Sequence, residues 1–470
     1  MDKTRKEGAI VVLLIIIILL RAISYLAHYH FILWDESVFM GMGKWIFSNG
    51  TIGLWEIIRP IGLPFMLGFL WKIGLTQKFA LEVTSVFFLL GTIFLTYILA
   101  RKIFDVKTAL LSSIVLFVTP VFFYYSSFTL TGIPSTFFIL LSVFFLIRKK
   151  YILSGLFSGV AFLFRYPAAL IFVAINLIFL YELLMSKNNK HKRIVDVIKY
   201  NVPFISLVGL YLVYNQVVYG SFIEPFLLAS AHQSVAVRNV SGVLLSILYY
   251  PYTLIITNIF LLFAIFQKQN KKLYYVLLPS IIFLIYFVMI PHKQPRFALM
   301  FLPFISILAV HGFFNCMNFL KKSFPKVVHG KRYLAIVSVL LGLILVHPVF
   351  IDYKLWQDFP GEKLEIVSDY YEFIKENNIS GPILTTDPVI NLYSDNKFIQ
   401  FYNNITDAHL IYDKNINKVS AIVYTPASFP CLDEVCNISK QELEEKIQND
   451  SVLIYNKTWW GELRQVYIRD

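Results

Sequence analysis

The sequence predicts a polytopic α-helical membrane protein with about eleven transmembrane helices, followed by a C-terminal external α/β domain. Of its 470 residues, 57% are hydrophobic and only 15% are charged, whereas soluble domains average about 25% charged residues. Apolar runs such as 9–20 and 85–100 are near or above the length that crosses a bilayer. From residue 352 onward, short strand and helix patterns alternate instead. We therefore predict a transmembrane module at 1–351 and a soluble external domain at 352–470.

The distribution of charge predicts the topology and argues against nucleic-acid binding. The net charge is +13, but residues 352–470 carry 11 basic and 19 acidic residues, against 31 and 10 before them. Basic residues cluster in short loops between apolar runs, which the positive-inside rule places in the cytoplasm. The N-terminus is then cytoplasmic and the C-terminal domain extracellular. Six such loops hold 22 of the Lys and Arg residues, at 1–8, 101–107, 148–150, 187–199, 267–272 and 321–332.

The alternating loops predict eleven spans. The two spans next to Arg165 are predicted as a short helix pair, because one bent helix would break the alternation of basic loops. Glycosylation sequons agree with this topology, since all fall in segments assigned to the outside; they begin at Asn49, Asn239, Asn378, Asn404, Asn437 and Asn456. The predicted spans are 9–27, 79–100, 107–125, 134–147, 151–164, 167–186, 200–219, 242–266, 273–290, 297–319 and 333–351.

The first external loop, residues 28–78, has structure of its own. The stretch ESVFMGMGKWIFSN predicts an interfacial amphipathic helix, whose apolar side holds Val38, Phe39, Met42, Trp45 and Ile46. The following stretch, RPIGLPFMLGFLWKIG, is apolar but too short to span comfortably, which is typical of an interfacial or re-entrant segment.

The C-terminal domain is predicted from five local patterns. SDYYEFIKENN indicates a helix, and GPILTTD, KFIQFYN and KVSAIVYTP indicate short strands. SKQELEEKIQND indicates a helix with Ser439 as N-cap and Glu442 at the capping-box position. The last 20 residues indicate a hairpin that turns near Gly461. Alternating strands and helices predict an α/β arrangement.

Cysteine usage predicts at most one disulfide. Cys431 and Cys436 lie five positions apart in this domain and suit a local disulfide if the domain faces an oxidising compartment. A metal site would need two more ligands at suitable spacing, and none stands nearby. Cys316 lies in an apolar stretch and is predicted as a core residue.

Two adjacent acids, Asp35 and Glu36, stand out because external acids are scarce in the membrane portion. A carboxylate at a membrane–water interface beside aromatic residues has a disturbed pKa and suits a general base. Alternatively, Asp35 is the N-cap of a helix that begins at Glu36. The two interpretations are compatible.

Basic side chains also occur in the external turns, against the positive-inside bias. Arg165 lies at a bend, and His292, Lys293 and Arg296 lie in a turn between two apolar spans. Such a turn suits a phosphate, to which Arg offers bidentate hydrogen bonds; the alternative is snorkelling to lipid head groups. His28 and His30 are read as structural rather than metal-binding residues.

Four stretches, taken in order, resemble one family. The acidic pair followed by RPIGLPF, then SGLFSGVAFLFRYPAAL, YNQVVYGSFIEPF and HKQPRFALMFLPF, resemble segments of GT-C glycosyltransferases. The similarity is to the branch with protein O-mannosyltransferases and aminoarabinose transferases, and it extends over about residues 1–310. No motif of this family covers residues 352–470.

This resemblance implies an inverting transferase that moves a sugar from a polyprenyl- or dolichyl-phosphate carrier to a glycan, lipid or protein acceptor on the external face. Asp35 would be the general base, with Glu36 supporting it. The carrier phosphate would be held by Arg165, His292, Lys293 and Arg296, and the sugar or acceptor by Glu224, Tyr166 and Arg59. The family often has a second acid where this chain has Gly132, so we expect metal-independent chemistry without a cofactor.

Two other functions remain open on the sequence. An oligosaccharyltransferase is less favoured, since the chain is short and TWWG lies at its far end without the expected Asp. A transporter or flippase for lipid-linked sugars should show ionisable residues near mid-membrane and an internal repeat. The sequence instead gathers its acids and bases at one face.

Overall fold

The computed structural model describes residues 34–185, 190–235, 243–268, 270, 272–290, 292–323, 346–351, 365–377, 379–401, 405–429, 431, 434–459 and 462–469, with a few residues of 8–19 and residues 342 and 354. Most residues of the predicted spans at 9–27 and 333–351 therefore lie outside the described part of the chain. The same holds for His28, His30, three of the sequons and the turn at Gly461.

Between residues 34 and 323 the described chain is mostly helical. The α-helices are α1 (Trp34–Phe47), α2 (Gly62–Lys72), α3 (Gln77–Ile103), α4 (Val106–Phe117), α5 (Pro120–Tyr125), α6 (Gly132–Ile147), α7 (Tyr151–Phe164), α8 (Leu170–Met185), α9 (Lys190–Tyr219), α10 (Glu224–Val235), α11 (Val243–Thr257), α12 (Tyr274–Met289) and α13 (Leu302–Ser323). Short 3₁₀ helices occur at Tyr166–Ala169, Ile259–Ile265 and Pro295–Met300.

Several of these helices have the length and composition of membrane spans. Among the described residues, four helices of 18 or more residues qualify, at Gln77–Ile103, Tyr166–Met185, Lys190–Tyr219 and Leu302–Ser323, and shorter apolar helices accompany them. The prediction of a multi-pass helical membrane protein with a small C-terminal sheet domain is confirmed.

Breaks within the predicted spans have local causes. The span predicted at 107–125 divides before Pro120, which lacks the N–H that a continuous helix needs. The helix pair beside Arg165 is confirmed, because α7 ends at Phe164 and Arg165 is extended. The span predicted at 242–266 changes to a 3₁₀ helix at Asn258, whose side chain accepts a hydrogen bond from the Phe260 N–H.

One predicted cytoplasmic loop is partly helical. Helix α9 begins at Lys190 rather than at residue 200, so the basic stretch KHKRIVDVIK forms its first turns. No Gly or Pro interrupts this stretch before Pro203, and the helix continues through that residue. The membrane-spanning and basic segments are therefore one 30-residue helix.

The chain forms two compact units. Unit 1 comprises Met1–Ile23, Ile57–Gly62 and Ser85–Phe359, and unit 2 comprises Ser24–Glu56, Leu63–Thr84 and Pro360–Asp470. Most of the predicted first external loop therefore groups with the C-terminal domain, whereas the sequence placed the boundary between residues 351 and 352.

Buried hydroxyl groups connect the helices of unit 1. The Ser142 and Ser158 hydroxyls lie 2.7 Å apart, and Ser158 and Tyr200 share a hydrogen bond of 2.9 Å. A Cβ on Gly155 would stand 1.9 Å from the Tyr200 carbonyl oxygen, so only glycine allows this approach of α7 to α9. The hydroxyls satisfy one another in apolar surroundings, where an unpaired polar group is costly.

The C-terminal part of unit 2 is built on a five-stranded mixed sheet. The elements are α14 (Glu365–Glu376), β1 (Ile383–Thr385), β2 (Phe398–Gln400), α15 (Ile405–Asn415), β3 (Ala421–Tyr424), α16 (Glu434–Asp450), β4 (Val452–Trp459) and β5 (Glu462–Ile468). The strand order is β2-β1-β3-β5-β4. Strands β1, β2 and β3 are parallel, and the β4–β5 hairpin is antiparallel, as predicted.

The sheet residues contribute to two hydrophobic clusters. One cluster joins the sheet to α15 and α16 through Ala408, Tyr412, Leu443 and Ile447. The other joins Ile383, Phe398, Val423 and Val466 to Tyr371 and Ile374 of α14. Val38 and Met42 of α1 and Leu54 belong to this second cluster and are fully buried. Helix α1 is thus part of the core of the C-terminal domain. Burial of each of these three side chains stabilises the folded state by about 1.5–3 kcal/mol.

Two local predictions in unit 2 are wrong. Residues Glu36 to Lys44 of α1 are all buried, so this helix is not an interfacial amphipathic helix. Helix α16 begins at Glu434, so Ser439 lies within the helix and is not its N-cap. An acidic residue in the first turn favours this earlier start. The predicted disulfide between Cys431 and Cys436 is present in the structure.

Candidate functional site

The acidic pair lies in the first turn of α1, within unit 2. The helix includes Trp34, so Asp35 is inside it and is not the N-cap of a helix beginning at Glu36. Asp35 is half-buried, whereas Glu36 is 0% exposed. The first turn of a helix stabilises negative charge, because its N–H groups point toward the acids. Asp35 is therefore the accessible acid, and Glu36 is a buried neighbour.

About two and a half turns further along, α1 carries a buried cation. Lys44 is 0% exposed, and its Nζ donates hydrogen bonds to the backbone oxygens of Asn391 at 2.5 Å and Ser394 at 3.1 Å. A third bond reaches Asp395 Oδ1 at 2.6 Å. Burial lowers the pKa of Lys44, and the charge of Asp395 opposes that shift. All three ammonium donors have acceptors, which a buried charge requires.

Glycines allow α1 to approach its neighbours closely. A Cβ on Gly41 would stand 2.7 Å from Leu54 Cγ and 2.9 Å from the Asn391 side chain. A Cβ on Gly43 would stand 2.6 Å from the Gly68 nitrogen in α2. Gly53 has a φ of 84°, and a Cβ there would lie 2.1 Å from the Gly41 carbonyl oxygen. The pattern MGMGK is therefore a packing pattern that the sequence analysis did not recognise.

The predicted phosphate-binding residues lie in unit 1, where Arg165 is central. Arg165 is half-buried, and its Nη1 donates to the Thr131 hydroxyl at 3.3 Å. Its guanidinium carbon lies 5.1 Å from the centroid of the Phe297 ring. Thr131 was not predicted from the sequence. Arg165 is thus held where α6 begins, beside the 3₁₀ helix Pro295–Met300.

Gly132 is the residue at which the resemblance would place a second acid. An ideal Cβ there would lie 3.7 Å from Arg165 Nη1 and 2.8 Å from Leu299 Cδ1. The neighbouring Thr136 hydroxyl donates to the Leu299 oxygen at 3.1 Å, which ties α6 to the 3₁₀ helix. A side chain at this position would therefore clash with Leu299 and would also come within van der Waals distance of the Arg165 guanidinium.

Arg296 is the second half-buried guanidinium of this region. Its Nε donates to Gln294 Oε1, and it interacts electrostatically with Tyr125 at the end of α5. His292 is largely buried, and its ring lies 5.8 Å from that of Phe297. Phe297 thus contacts both the His292 ring and Arg165, so the structure brings three of the four predicted phosphate-binding residues into one region.

Lys293 has a different environment from the one predicted. It is 4% exposed, and its Nζ donates to the backbone oxygens of Phe287 at 2.8 Å, Val288 at 2.6 Å and Ile290. These carbonyls stand at the C-terminal end of α12, where the last turn lacks intrahelical donors. An ammonium has three donors. The geometry assigns Lys293 to the helix end rather than to a phosphate.

The residues expected to contact sugar or acceptor are partly separated. The Tyr166 hydroxyl shares a 2.8 Å hydrogen bond with Tyr211, and its ring packs against Phe226. Glu224 begins α10, two residues before Phe226, and is half-buried. These two residues therefore lie in one aromatic region of unit 1.

Arg59 belongs to unit 1 through the short segment Ile57–Gly62. A Cβ on Gly62 would stand 2.6 Å from Phe164 Cδ2, so this segment packs against the end of α7, directly before Arg165. Arg59 itself is half-buried. Thus the acidic pair Asp35–Glu36 of the predicted site belongs to unit 2, whereas Glu224 and the basic residues belong to unit 1.

A family model supports the resemblance over the first part of the chain. Residues 58–215 match the model described as dolichyl-phosphate-mannose-protein mannosyltransferase. This match includes Arg59, Arg165 and Tyr166. No curated protein has a significantly similar sequence.

Solved structures of membrane glycosyltransferases share the fold. ArnT from Cupriavidus metallidurans bound to undecaprenyl phosphate has a TM-score of 0.64 at 13% identity, over 97% of each chain. The Archaeoglobus fulgidus oligosaccharyltransferase has a TM-score of 0.59 at 10% identity, over 100% of this chain and 75% of the other. The mycobacterial arabinofuranosyltransferase AftD has a TM-score of 0.53 at 10% identity, over 100% and 40%.

Proposed function

We propose that the chain is an inverting glycosyltransferase of the GT-C type that takes its sugar from a polyprenyl- or dolichyl-phosphate carrier. The observation that carries this proposal is the fold shared over 97% of the chain with ArnT, whose structure holds undecaprenyl phosphate. The acceptor is a glycan, lipid or protein hydroxyl. The reaction takes place on the external face of the membrane, where the predicted topology places the acidic pair.

The proposed reaction is a single displacement. The acceptor oxygen attacks the anomeric carbon while the bond from that carbon to the phosphate oxygen breaks, which inverts the anomeric centre. The acceptor proton passes to the Asp35 carboxylate, and the electron pair leaves with the carrier phosphate. Asp35 suits this task because it is half-exposed in the first turn of α1, whereas Glu36 is buried and supports it.

Arg165 and Arg296 are the proposed phosphate-binding residues. The leaving phosphate gains one negative charge, and a guanidinium stabilises this charge through two parallel hydrogen bonds. Phe297 and Thr131 hold Arg165 in place, which reduces the reorganisation needed during the reaction. His292 contributes a ring beside Phe297, while Glu224, Tyr166 and Arg59 are proposed to contact the sugar or acceptor.

An oligosaccharyltransferase is the second candidate function. It is favoured by the similarity to the Archaeoglobus fulgidus enzyme along 100% of this chain. A peptide acceptor that contains an N-x-S/T sequon distinguishes the two candidate functions, since only an oligosaccharyltransferase would glycosylate the Asn amide. A lipid-linked sugar flippase would instead scramble the carrier without releasing polyprenyl phosphate.

The proposal is tested by measuring polyprenyl phosphate release from dolichyl-phosphate sugars by the purified full chain. We expect Asp35→Asn to lower the release rate by about 10²-fold or more, which is the range of general-base catalysis. Asn keeps the size of Asp but cannot accept the proton. Release by Asp35→Asn at the wild-type rate would disprove the assignment of the base.

A second acid serves as a control that distinguishes loss of any carboxylate from loss of the carboxylate at position 35. Asp413 lies in the same unit, in an exposed ion pair with Lys446 at 3.0 Å. Asp413→Asn removes one carboxylate from a surface helix of the C-terminal domain, and we expect wild-type release. An equal loss in both variants would indicate a general effect of charge or folding.

A further inference from the structure

We propose that the C-terminal domain positions the acidic pair, and that the buried Lys44 is the positioning residue through which it acts. This inference rests on the proposed function, since it takes Asp35 as the base. It assigns a role to residues 360–470, to which neither the family model nor the quoted motifs extend.

The first argument is that α1 forms part of the core of the C-terminal domain. Val38 and Met42 are fully buried in one cluster with Ile383 of β1 and Val466 of β5. Side chains from α1, the sheet and α14 interdigitate there. Because a packed core resists deformation, the orientation of α1 is set by the sheet against which it packs.

The second argument is the hydrogen bonding of Lys44. Its three bonds end on Asn391, Ser394 and Asp395, which all lie in the connection from β1 to β2. Asn391 is the fourth residue of the 3₁₀ helix Pro388–Leu392 in that connection. One buried ammonium therefore fixes both the rotation of α1 about its axis and its position along the sheet.

The third argument is a backbone contact just beyond α1. The Gly53 N–H donates to the Asn396 oxygen, and the Phe398 N–H donates to the Gly53 oxygen, each at 2.8 Å. Gly53 thus forms a parallel bridge with Lys397 at the edge of β2. The Leu54 N–H donates a hydrogen bond to the Gly41 oxygen of α1 at 3.2 Å. The chain after α1 is held by the same sheet as the helix.

These anchors act on the acids through a rigid helix. Asp35 precedes Lys44 by about 13 Å of helix at 1.5 Å per residue. Reacting groups must be held within about 0.5 Å of the productive geometry, and a misplacement of about 1 Å costs about 100-fold in rate. Loss of the Lys44 hydrogen bonds therefore changes the placement of Asp35 without altering any group that contacts substrate.

The experiment compares two ion pairs of the same domain in the full chain. Lys44→Met and Asp395→Asn break the ion pair of the buried Lys44, and Lys446→Met and Asp413→Asn break the exposed pair of similar length. For each variant we would measure kcat and donor KM of polyprenyl phosphate release, and hydrogen exchange of the α1 amides. Asp395→Asn is the milder change, since it keeps the two carbonyl acceptors of Lys44.

The proposal predicts that Lys44→Met lowers kcat by about tenfold or more, with donor KM changed less than about twofold. Asp395→Asn should give a smaller loss of the same kind. In both variants the α1 amides should exchange faster, while the exposed-pair variants remain like wild type. Wild-type kcat in Asp395→Asn and Lys44→Met would overturn the proposal, as would wild-type exchange in α1.

Asp35→Asn, measured in parallel, separates the two proposals. If Asp35→Asn releases polyprenyl phosphate normally, the proposed base is wrong, and the positioning role falls with it although the exchange data still report the docking of α1. If Asp35→Asn is inactive but a loosened α1 keeps its full kcat, the proposed function stands and the positioning role is overturned.

Discussion

At the scale of single residues, Arg165 and Lys293 were predicted to share one task, but their surroundings differ. Arg165 donates a hydrogen bond to the Thr131 hydroxyl and lies over the Phe297 ring, so part of its guanidinium is held by side chains. Lys293 donates its three hydrogen bonds to backbone carbonyls at the C-terminal end of α12. The type of residue and its place in a turn did not distinguish them, because donor geometry depends on which atoms lie within 3 Å.

This difference predicts opposite effects of two substitutions. Arg165→Gln should lower the release rate by about 10²–10³-fold with little change in thermal stability, since it removes charge at the leaving phosphate. Lys293→Met should lower the free energy of unfolding by about 1–3 kcal/mol, because carbonyls lose their partner. Its release rate per folded molecule should remain like wild type.

The measurements are the release rate and a thermal melt of each purified variant. Loss of activity in Lys293→Met with an unchanged melting temperature would contradict the structural role and return Lys293 to the carrier site. A melting temperature of Arg165→Gln reduced as far as that of Lys293→Met would mean that Arg165 is mainly structural.

At the scale of elements, α1 and α2 meet through backbone contacts. A Cβ on Gly68 would lie 2.3 Å from the Gly43 carbonyl oxygen, and one on Gly43 would lie 2.6 Å from the Gly68 nitrogen. No flexible side chain is available to move aside, so the two helices would have to separate. This contact explains two glycines that helix propensity alone disfavours.

We expect Gly43→Ala and Gly68→Ala each to lower the free energy of unfolding by about 1–3 kcal/mol, which is the usual cost of overpacking. Gly209→Ala is the matched control, because Gly209 also lies inside a helix but its Cβ would have nothing within 4 Å. That variant should be neutral or more stable by about 0.5–1 kcal/mol. Equal melting temperatures in all three variants would disprove the close contact.

The positions of elements were predictable where local chemistry decides them. The segment Arg165–Pro167 separates two helices at the predicted place. The three short strands and the hairpin also form as predicted. The start of α16 was missed because an N-cap pattern at Ser439 competes with an equally favourable acidic turn at Glu434. The character of α1 was missed because an apolar face does not reveal whether lipid or protein covers it.

At the scale of the whole molecule, the absence of an acid at position 132 predicts metal-independent chemistry. We expect a chelator such as EDTA to leave polyprenyl phosphate release unchanged, and added Mg²⁺ or Mn²⁺ to change it by less than about twofold, since in the proposed reaction Arg165 supplies the positive charge at the leaving group. Release is measured before and after dialysis against the chelator. Activity that disappears with EDTA and returns with one divalent ion would contradict this prediction.

The charged residues of the candidate site were predicted from the sequence, but the side chains that hold them in place were not. Asp35, Arg165 and Arg296 were selected because charges are rare on the predicted external side. Thr131 and Phe297, which hold Arg165, carry no such signal. They are ordinary residues of apolar stretches, and their role follows from contacts between segments far apart in the sequence.

The sequence by itself determined the class of molecule, the order of its helices and the position of the acidic pair, because hydropathy, charge bias and breaker residues act locally. Only the tertiary structure decided that the helix with this pair belongs to the core of the C-terminal domain. Lys44 and Asp395 lie 351 positions apart, and no local property of either indicates the other. A buried charge needs a partner, and the fold alone determines which residue supplies it.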